Sequence, residues 1–166
     1  MKQVFCRIHQ CVACRACELA CAVEHSRSRQ LVRAVREAEK TGPRIRVERI
    51  EETAFPGRTR TLALQCRHCE DPVCVQACIS GGLYRDGKTG EVRIDPDRCV
   101  ACWSCIMVCP FGAIAKNENV HRAVKCDLCP DLESPACVDA CPTRALVFCE
   151  RDDIILKVVA DSAGIS

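Results

Sequence analysis

A chain of 166 residues with six aromatics and a net charge of +2 fits one compact unit, has few large side chains to fill its core, and carries no bulk charge to attract nucleic acid. Cysteine supplies 18 of the residues, a density that marks a scaffold built on sulfur. No stretch approaches the roughly 18 apolar residues of a membrane helix, and the N-terminus MKQVFCRIHQ has neither an apolar run nor twin arginines, so a cytoplasmic protein is expected, in which dense cysteine usually means metal rather than disulfide.

The first element in chain order is "CVACRACELAC", which holds Cys11, Cys14, Cys17 and Cys21. An insert follows, over residues 26–64. Within "SRSRQLVRAVREAEKTGP", Leu31, Val32, Val35 and Ala38 fall at helical spacing, and Gly42-Pro43 is expected to end that helix. "RIRVERI" and "TRTLAL" predict two strands joined by a loop with Pro56-Gly57. The insert reads either as a solvated helix and sheet covering what lies beneath, or as a docking surface for a partner.

The second cysteine set is Cys66, Cys69, Cys74 and Cys78. After it, "LYRDGKTGEVRI" has alternating ends and two Gly-containing turn dipeptides, a hairpin signal. The third set is Cys99, Cys102, Cys105 and Cys109, followed by Pro110. "GAIAKNENVHRAV" predicts another hairpin, turning around Asn117 to Asn119. The fourth set is Cys126, Cys129, Cys137 and Cys141, followed by Pro142. A short helix is expected to start near each fourth cysteine, with proline suited to its first turn.

This is an internal repeat. The C-x2-C-x2-C-x3-C-P run is the bacterial ferredoxin signature for a [4Fe–4S] cluster, in which the fourth cysteine ligates the other cluster of a pair. The alternatives are structural zinc, which prefers two separated C-x2-C pairs and fits only the fourth set, and a disulfide framework. Spacing alone does not choose between nested and sequential pairing of the sets. Cys6 and Cys149 stand outside them and read as small apolar strand residues. His9, His25, His68 and His121 read as structural or surface residues. Lys125, next to a ligand, either raises a cluster's reduction potential or is solvated. Trp103 reads as a shield against water. Glu18, Glu24, Glu70 and Asp71 form no acid/base pair, and the sequence holds no nucleotide loop and no flavin or nicotinamide fingerprint.

The segments "CVACRACELAC", "CRHCEDPVCVQAC", "CVACWSCIMVCPFGAI" and "KCDLCPDLESPACVDACPTRAL" resemble the four-cluster iron–sulfur subunits of the dimethyl sulfoxide reductase and formate dehydrogenase type. The chain is more similar still to their short, ferredoxin-like relatives associated with CO dehydrogenase, formate hydrogenlyase and aldehyde oxidoreductase. The resemblance spans Val4 to Phe148. It implies an α+β fold of two interlocked ferredoxin-like pseudo-repeats, an outer half from residues 1–30 plus 120–150 and an inner half from 60–119, with short helices and hairpins around four [4Fe–4S] clusters. It also implies nested ligand sets. Cys11, Cys14, Cys17 and Cys141 hold one cluster, and Cys21, Cys126, Cys129 and Cys137 its neighbour. Cys66, Cys69, Cys74 and Cys109 hold a third, and Cys78, Cys99, Cys102 and Cys105 the fourth.

Ala22 and Ile79 stand where the family has proline, which relaxes the turn and removes no ligand. Some relatives replace a ligand of the third set by Trp; here Trp103 lies beside Cys102, so four irons are expected there. The chain stops soon after the last motif, so no membrane anchor of its own is expected. The function implied is a non-catalytic electron relay between a catalytic oxidoreductase subunit and a second carrier, either a ferredoxin or a flavin-containing NAD(P) reductase. A free-standing polyferredoxin and a zinc-binding interaction module are the alternatives.

Overall fold

A computed structural model describes residues 1–51, 57, 59–117 and 119–153; Pro56 of the predicted loop and Glu118 of the predicted turn lie outside them. Strand β1 (Lys2–Cys6) leads through a 3-10 turn (Ile8–Gln10) to α1 (Ala16–Glu24) and α2 (Leu31–Ala34). Then come β2 (Ile45–Glu51), β3 (Thr59–Gln65), α3 (Val73–Gln76), β4 (Leu83–Arg85) and β5 (Val92–Ile94). The order closes with α4 (Ser104–Val108), β6 (Ile114–Asn117), β7 (Arg122–Lys125), α5 (Ala136–Asp139) and β8 (Leu146–Glu150). Short helices and small antiparallel sheets make this an α+β fold.

The strands pair two by two, β1 with β8, β2 with β3, β4 with β5 and β6 with β7, all antiparallel. Two of these pairs, β4–β5 and β6–β7, are the predicted hairpins, and β2–β3 unites the two strands predicted over "RIRVERI" and "TRTLAL". Between β4 and β5 the Asp86 carboxylate accepts the N–H groups of Lys88 and Thr89 at 2.8 and 2.9 Å, the local bonding that makes aspartate a turn residue. Between β2 and β3 the register sets Ile45 opposite Gln65 and Val47 opposite Ala63, so one face of the pair turns inward as a block. The β1–β8 pair, with Val4 opposite Phe148, joins distant parts of the chain. Cys6 and Cys149 lie in these two strands, as expected of them.

Two buried cores result. One gathers Val4, Ile45, Cys17, Cys21, Cys126, Cys137 and Leu146; the other gathers Leu83, Val92, Cys105, Ile114 and Ala123. Sulfur takes up core positions that larger side chains fill elsewhere.

Two local expectations are corrected. The helices begin one residue before the third cysteine of each set, not near the fourth: α1, α3, α4 and α5 carry Cys17, Cys74, Cys105 and Cys137 at their second position. Cys78, Cys109 and Cys141 instead open tight turns, each accepting an N–H bond at 3.1 Å from the residue three further on, Gly81, Gly112 or Arg144. Pro110 and Pro142 occupy the second position of those turns, where a fixed φ is favourable. Cys21 is the exception, because α1 continues past it to Glu24.

The predicted helix over Leu31 to Ala38 is also shorter than expected. It covers Leu31–Ala34 and tightens into i→i+3 turns at Arg36 and Glu37, well before Gly42-Pro43. The reason is burial. Leu31, Val32 and Val35 remain 48, 67 and 62% exposed, so the apolar stripe has too little to pack against to sustain a longer helix.

Candidate metal centre

The backbone around each set is shaped alike. The residue before the second cysteine is left-handed in all four sets: Ala13 (φ 55°), His68 (φ 44°), Ala101 (φ 55°) and Leu128 (φ 63°). Non-glycine residues adopt this conformation at a steric cost of roughly 1–2 kcal/mol, so its recurrence indicates a shape imposed by what the loop surrounds. Beyond it the sets divide. The first and third have a left-handed helix N-cap, Arg15 or Trp103. The second and fourth have proline there, Pro72 or Pro135.

Sixteen thiols are brought into four neighbourhoods. Cys11, Cys14, Cys17 and Cys141 line one small cavity, with Cys6 beside them. Cys78, Cys99, Cys102 and Cys105 line another, with Trp103 beside them. The thiols of Cys126, Cys129 and Cys137 each have Cys21 as a charged neighbour, and α1 packs on α5 between them. Cys66, Cys69 and Cys109 surround Cys74. Cys14 and Cys102 are exposed, whereas Cys17, Cys21, Cys105, Cys126, Cys129 and Cys137 are buried.

Backbone N–H groups point at the sulfurs of fourth-position cysteines: Arg44 N to Cys21 Sγ at 3.2 Å, Leu83 N to Cys78 Sγ at 3.3 Å, and Ala113 N to Cys109 Sγ at 3.4 Å. Such donors favour thiolate. At Cys78 burial opposes the charge, but the donors from Leu83 and Ser80 outweigh it and the thiol falls below its ordinary value. At Cys17, Cys74 and Cys129 burial dominates and pushes the thiols up to about 11, and it pushes Cys126 to about 12. Buried thiols crowded on one another gain little as a free set. A cationic metal core that binds them as thiolates removes both costs.

The donor set therefore fits iron–sulfur clusters: all sulfur, four thiols per neighbourhood, and amides aimed at sulfur. His68 sits beside the second set. It is 1% exposed; its Nδ1 accepts the Val92 N–H at 3.1 Å, so Nε2 carries the proton, and Nε2 has no hydrogen-bond partner among the described residues. The Cys126 backbone lies near the ring, so His68 ties the second motif to the fourth. Burial first, and then the nearby Lys125, lower its pKa to about 3 and keep the ring neutral.

Sequence reasoning missed one tie. His25, at the end of α1, meets the Cys21 carbonyl through Nδ1 at 2.7 Å and Asp127 Oδ1 through Nε2 at 3.0 Å. The Arg44 guanidinium donates to the other Asp127 oxygen. Burial works against a charged imidazole, but the Asp127 carboxylate outweighs it and raises the His25 pKa to about 9. The ligating atoms of His25, Asp127 and Cys129 lie within 4.8 Å of one another. Asp127 and Cys129 belong to the fourth cysteine motif, so this group borders that thiol neighbourhood. No local signal in the sequence reveals the pairing of His25 with Asp127, because 102 residues separate them.

Fold and thiol chemistry together define an iron–sulfur protein. The profile of the 4Fe–4S dicluster domain matches residues 58–151. An iron–sulfur protein of Rhodospirillum rubrum is 39% identical, over 86% of this chain and 78% of that protein. Electron transport protein HydN of Escherichia coli K12 is 35% identical, over 87% of this chain and 86% of its own length. The B subunit of anaerobic dimethyl sulfoxide reductase from the same organism is 32% identical, over 89% of this chain and 73% of that subunit. Among solved structures, a chain of the BamBC active-site complex of benzoyl-coenzyme A reductase with benzoyl-CoA is similar at 20% identity, with a TM-score of 0.43 and 97 and 89% of the two chains covered.

The chain belongs to the family of 4Fe–4S dicluster electron-transfer proteins. It is a non-catalytic, ferredoxin-type subunit whose cofactors are four [4Fe–4S] clusters. No helix among the described residues is long and apolar enough to cross a membrane.

Proposed function

We propose that this chain is the relay of a cytoplasmic oxidoreductase complex, passing single electrons between a catalytic subunit and a second carrier, either a ferredoxin or a flavin-containing NAD(P) reductase. The catalytic partner is of the CO dehydrogenase, formate dehydrogenase, hydrogenase or aldehyde oxidoreductase type. A partner subunit is supported by relatives such as the thiosulfate reductase electron transfer subunit PhsB of Salmonella typhi, 34% identical over 87% of this chain, and the dimethyl sulfoxide reductase subunit already described. The cytoplasm is assigned because ligand thiols must stay reduced until they are metallated.

In this reading the ligand sets are nested: Cys11, Cys14, Cys17 with Cys141; Cys126, Cys129, Cys137 with Cys21; Cys66, Cys69, Cys74 with Cys109; and Cys99, Cys102, Cys105 with Cys78. The observation that carries it is the thiol grouping, in which each neighbourhood combines three cysteines of one motif with the fourth cysteine of another. Two interlocked ferredoxin-like halves follow, residues 1–30 plus 120–150 outside and 60–119 inside, with 26–64 inserted. The alternation of left-handed and proline N-caps supports a pseudo-repeat.

The clusters supply one-electron chemistry. The protein supplies the amide donors that favour thiolate, the burial that excludes water, and the spacing of the sites. Anaerobic purification under native conditions is the test. A redox enzyme subunit recovered in fixed proportion supports the relay. Recovery of the chain alone, fully loaded with iron, would make it a free-standing polyferredoxin.

A further inference from the structure

Among the described residues, Lys125 is the one buried lysine or arginine. In β7 the side chains alternate, Ala123 and Lys125 facing inward at 6 and 4% exposed. Parity sets this: once Ala123 packs in the core, the residue two further on must follow it. Its strand partner Ile114 is buried as well. Nζ donates to the Cys126 carbonyl at 2.8 Å, and among the described residues no carboxylate lies within ion-pair distance of it.

A lysine is almost never fully buried without a counter-charge. The nearby charged side chains are otherwise engaged, Asp127 by His25 and Arg44 and Arg93 by Glu91. Thiolates remain. Lys125 Nζ is bonded to Cys126 of the fourth motif, while its strand partner Ile114 and its neighbour Ala123 lie in the core against which Cys74 and Cys109 pack, so its charge reaches Cys126, Cys74 and His68 alike. It therefore stands where the second and fourth cysteine motifs meet.

We propose that Lys125 is a positioning charge shared by two cluster sites, Cys21/Cys126/Cys129/Cys137 and Cys66/Cys69/Cys74/Cys109, and that its buried ammonium raises the reduction potential of both. A fixed positive charge favours whichever form of its neighbour carries one more electron, and burial leaves that attraction largely unscreened by salt. The two sites lie in different halves of the chain, so the charge makes their junction a resting place for the transferred electron. The proposal rests on the ligand sets given under Proposed function.

The experiment is an anaerobic redox titration followed by EPR on the iron-loaded chain. Cys126→Ser and Cys74→Ser first identify the signals of the two sites independently of Lys125. Lys125→Met should then lower both of those midpoints, so that at fixed poise the reduced-to-oxidised ratio falls at least tenfold, which is 59 mV for a one-electron couple. The signals of the other two sites should stay in place. Lys125→Arg, which keeps the charge, should restore both midpoints. If Lys125→Met loses iron, Lys125→Gln, which keeps a donor for the Cys126 carbonyl, is read in the same way. Unmoved midpoints in the neutral variants, an equal shift of all four signals, or an equal loss in Lys125→Arg would overturn the proposal. If Cys126→Ser and Cys74→Ser alter one and the same signal, the ligand assignment itself fails, a result distinct from the failure of the charge alone.

Discussion

His25 Nε2 lies 3.0 Å from Asp127 Oδ1, and this contact joins the end of α1 to a motif 102 residues further along the chain. The same aspartate is held by Arg44, whose own N–H donates to Cys21 Sγ at 3.2 Å. A closed set of polar contacts thus surrounds a fourth-position cysteine and fixes α1 against the last motif.

Asp127→Asn removes the carboxylate from His25 and Arg44 while keeping its shape. Charge-assisted hydrogen bonds contribute about 1.5–3 kcal/mol each when well formed; Asp127 is part-exposed, so a loss near the lower end is expected. It should appear as earlier thermal bleaching of cluster absorbance, with iron per chain unchanged at low temperature. Unaltered bleaching would show that the contact contributes nothing to stability.

Metal content follows from ligand count. Sixteen thiols in four sets predict about sixteen irons and sixteen sulfides per chain after anaerobic purification, with a brown colour. A fresh sample with about fifteen irons per chain and a stoichiometric three-iron EPR signal would contradict the four-iron reading of the Trp103-containing set. A colourless protein carrying zinc would remove the assignment altogether.

Iron removal should unfold the chain. Cys17, Cys21, Cys126 and Cys137 lie in one core and Cys105 in the other, so the clusters are part of what the hairpins pack against. Chelation under reducing conditions is expected to abolish a cooperative transition. A well-dispersed NMR spectrum of the apo protein would refute this.

Cys141→Ser tests the nested sets. Cys141 shares a cavity with Cys11, Cys14 and Cys17. The substitution should alter the EPR signal that Cys14→Ser also alters, and leave the signal sensitive to Cys102→Ser as it was. The opposite pattern would favour a sequential pairing.

Arg144 offers a test of backbone strain. It holds φ 55° at the turn position that Gly81 and Gly112 fill after two other sets. Arg144→Gly removes a left-handed penalty of roughly 1–2 kcal/mol, offset in part by the added freedom of glycine in the unfolded chain. A net gain of up to about 1 kcal/mol is expected in thermal bleaching. Gly112→Ala should shift it the other way by a similar amount, because alanine would be held at φ 53°, while the half-exposed Arg46 guanidinium beside it can move aside.

Local signals in the sequence were enough for the chemistry and for much of the fold. The cysteine spacing named the cofactor, because ligands a few residues apart must share one loop. "RDGKTG" placed the β4–β5 turn, because Asp86 and Gly90 build it from their own neighbours. The helix starts were misplaced because the third cysteine leads each helix while the fourth opens a turn, a division that depends on how the loop wraps its contents. The tertiary structure alone decided what depends on distant packing. The stripe at Leu31, Val32 and Val35 found too little surface to cover it, so its helix stopped after one turn. Lys125 reads from sequence as either tuning a cluster or solvated; the inward parity of Ala123 removed the solvated alternative. His25 and Asp127 each look ordinary in sequence, and only the packing of α1 against α5 brings them into contact. Neighbouring residues encode turns and ligand loops because their geometry closes locally. Burial and long-range pairing are set by the whole chain at once, and no short stretch contains them.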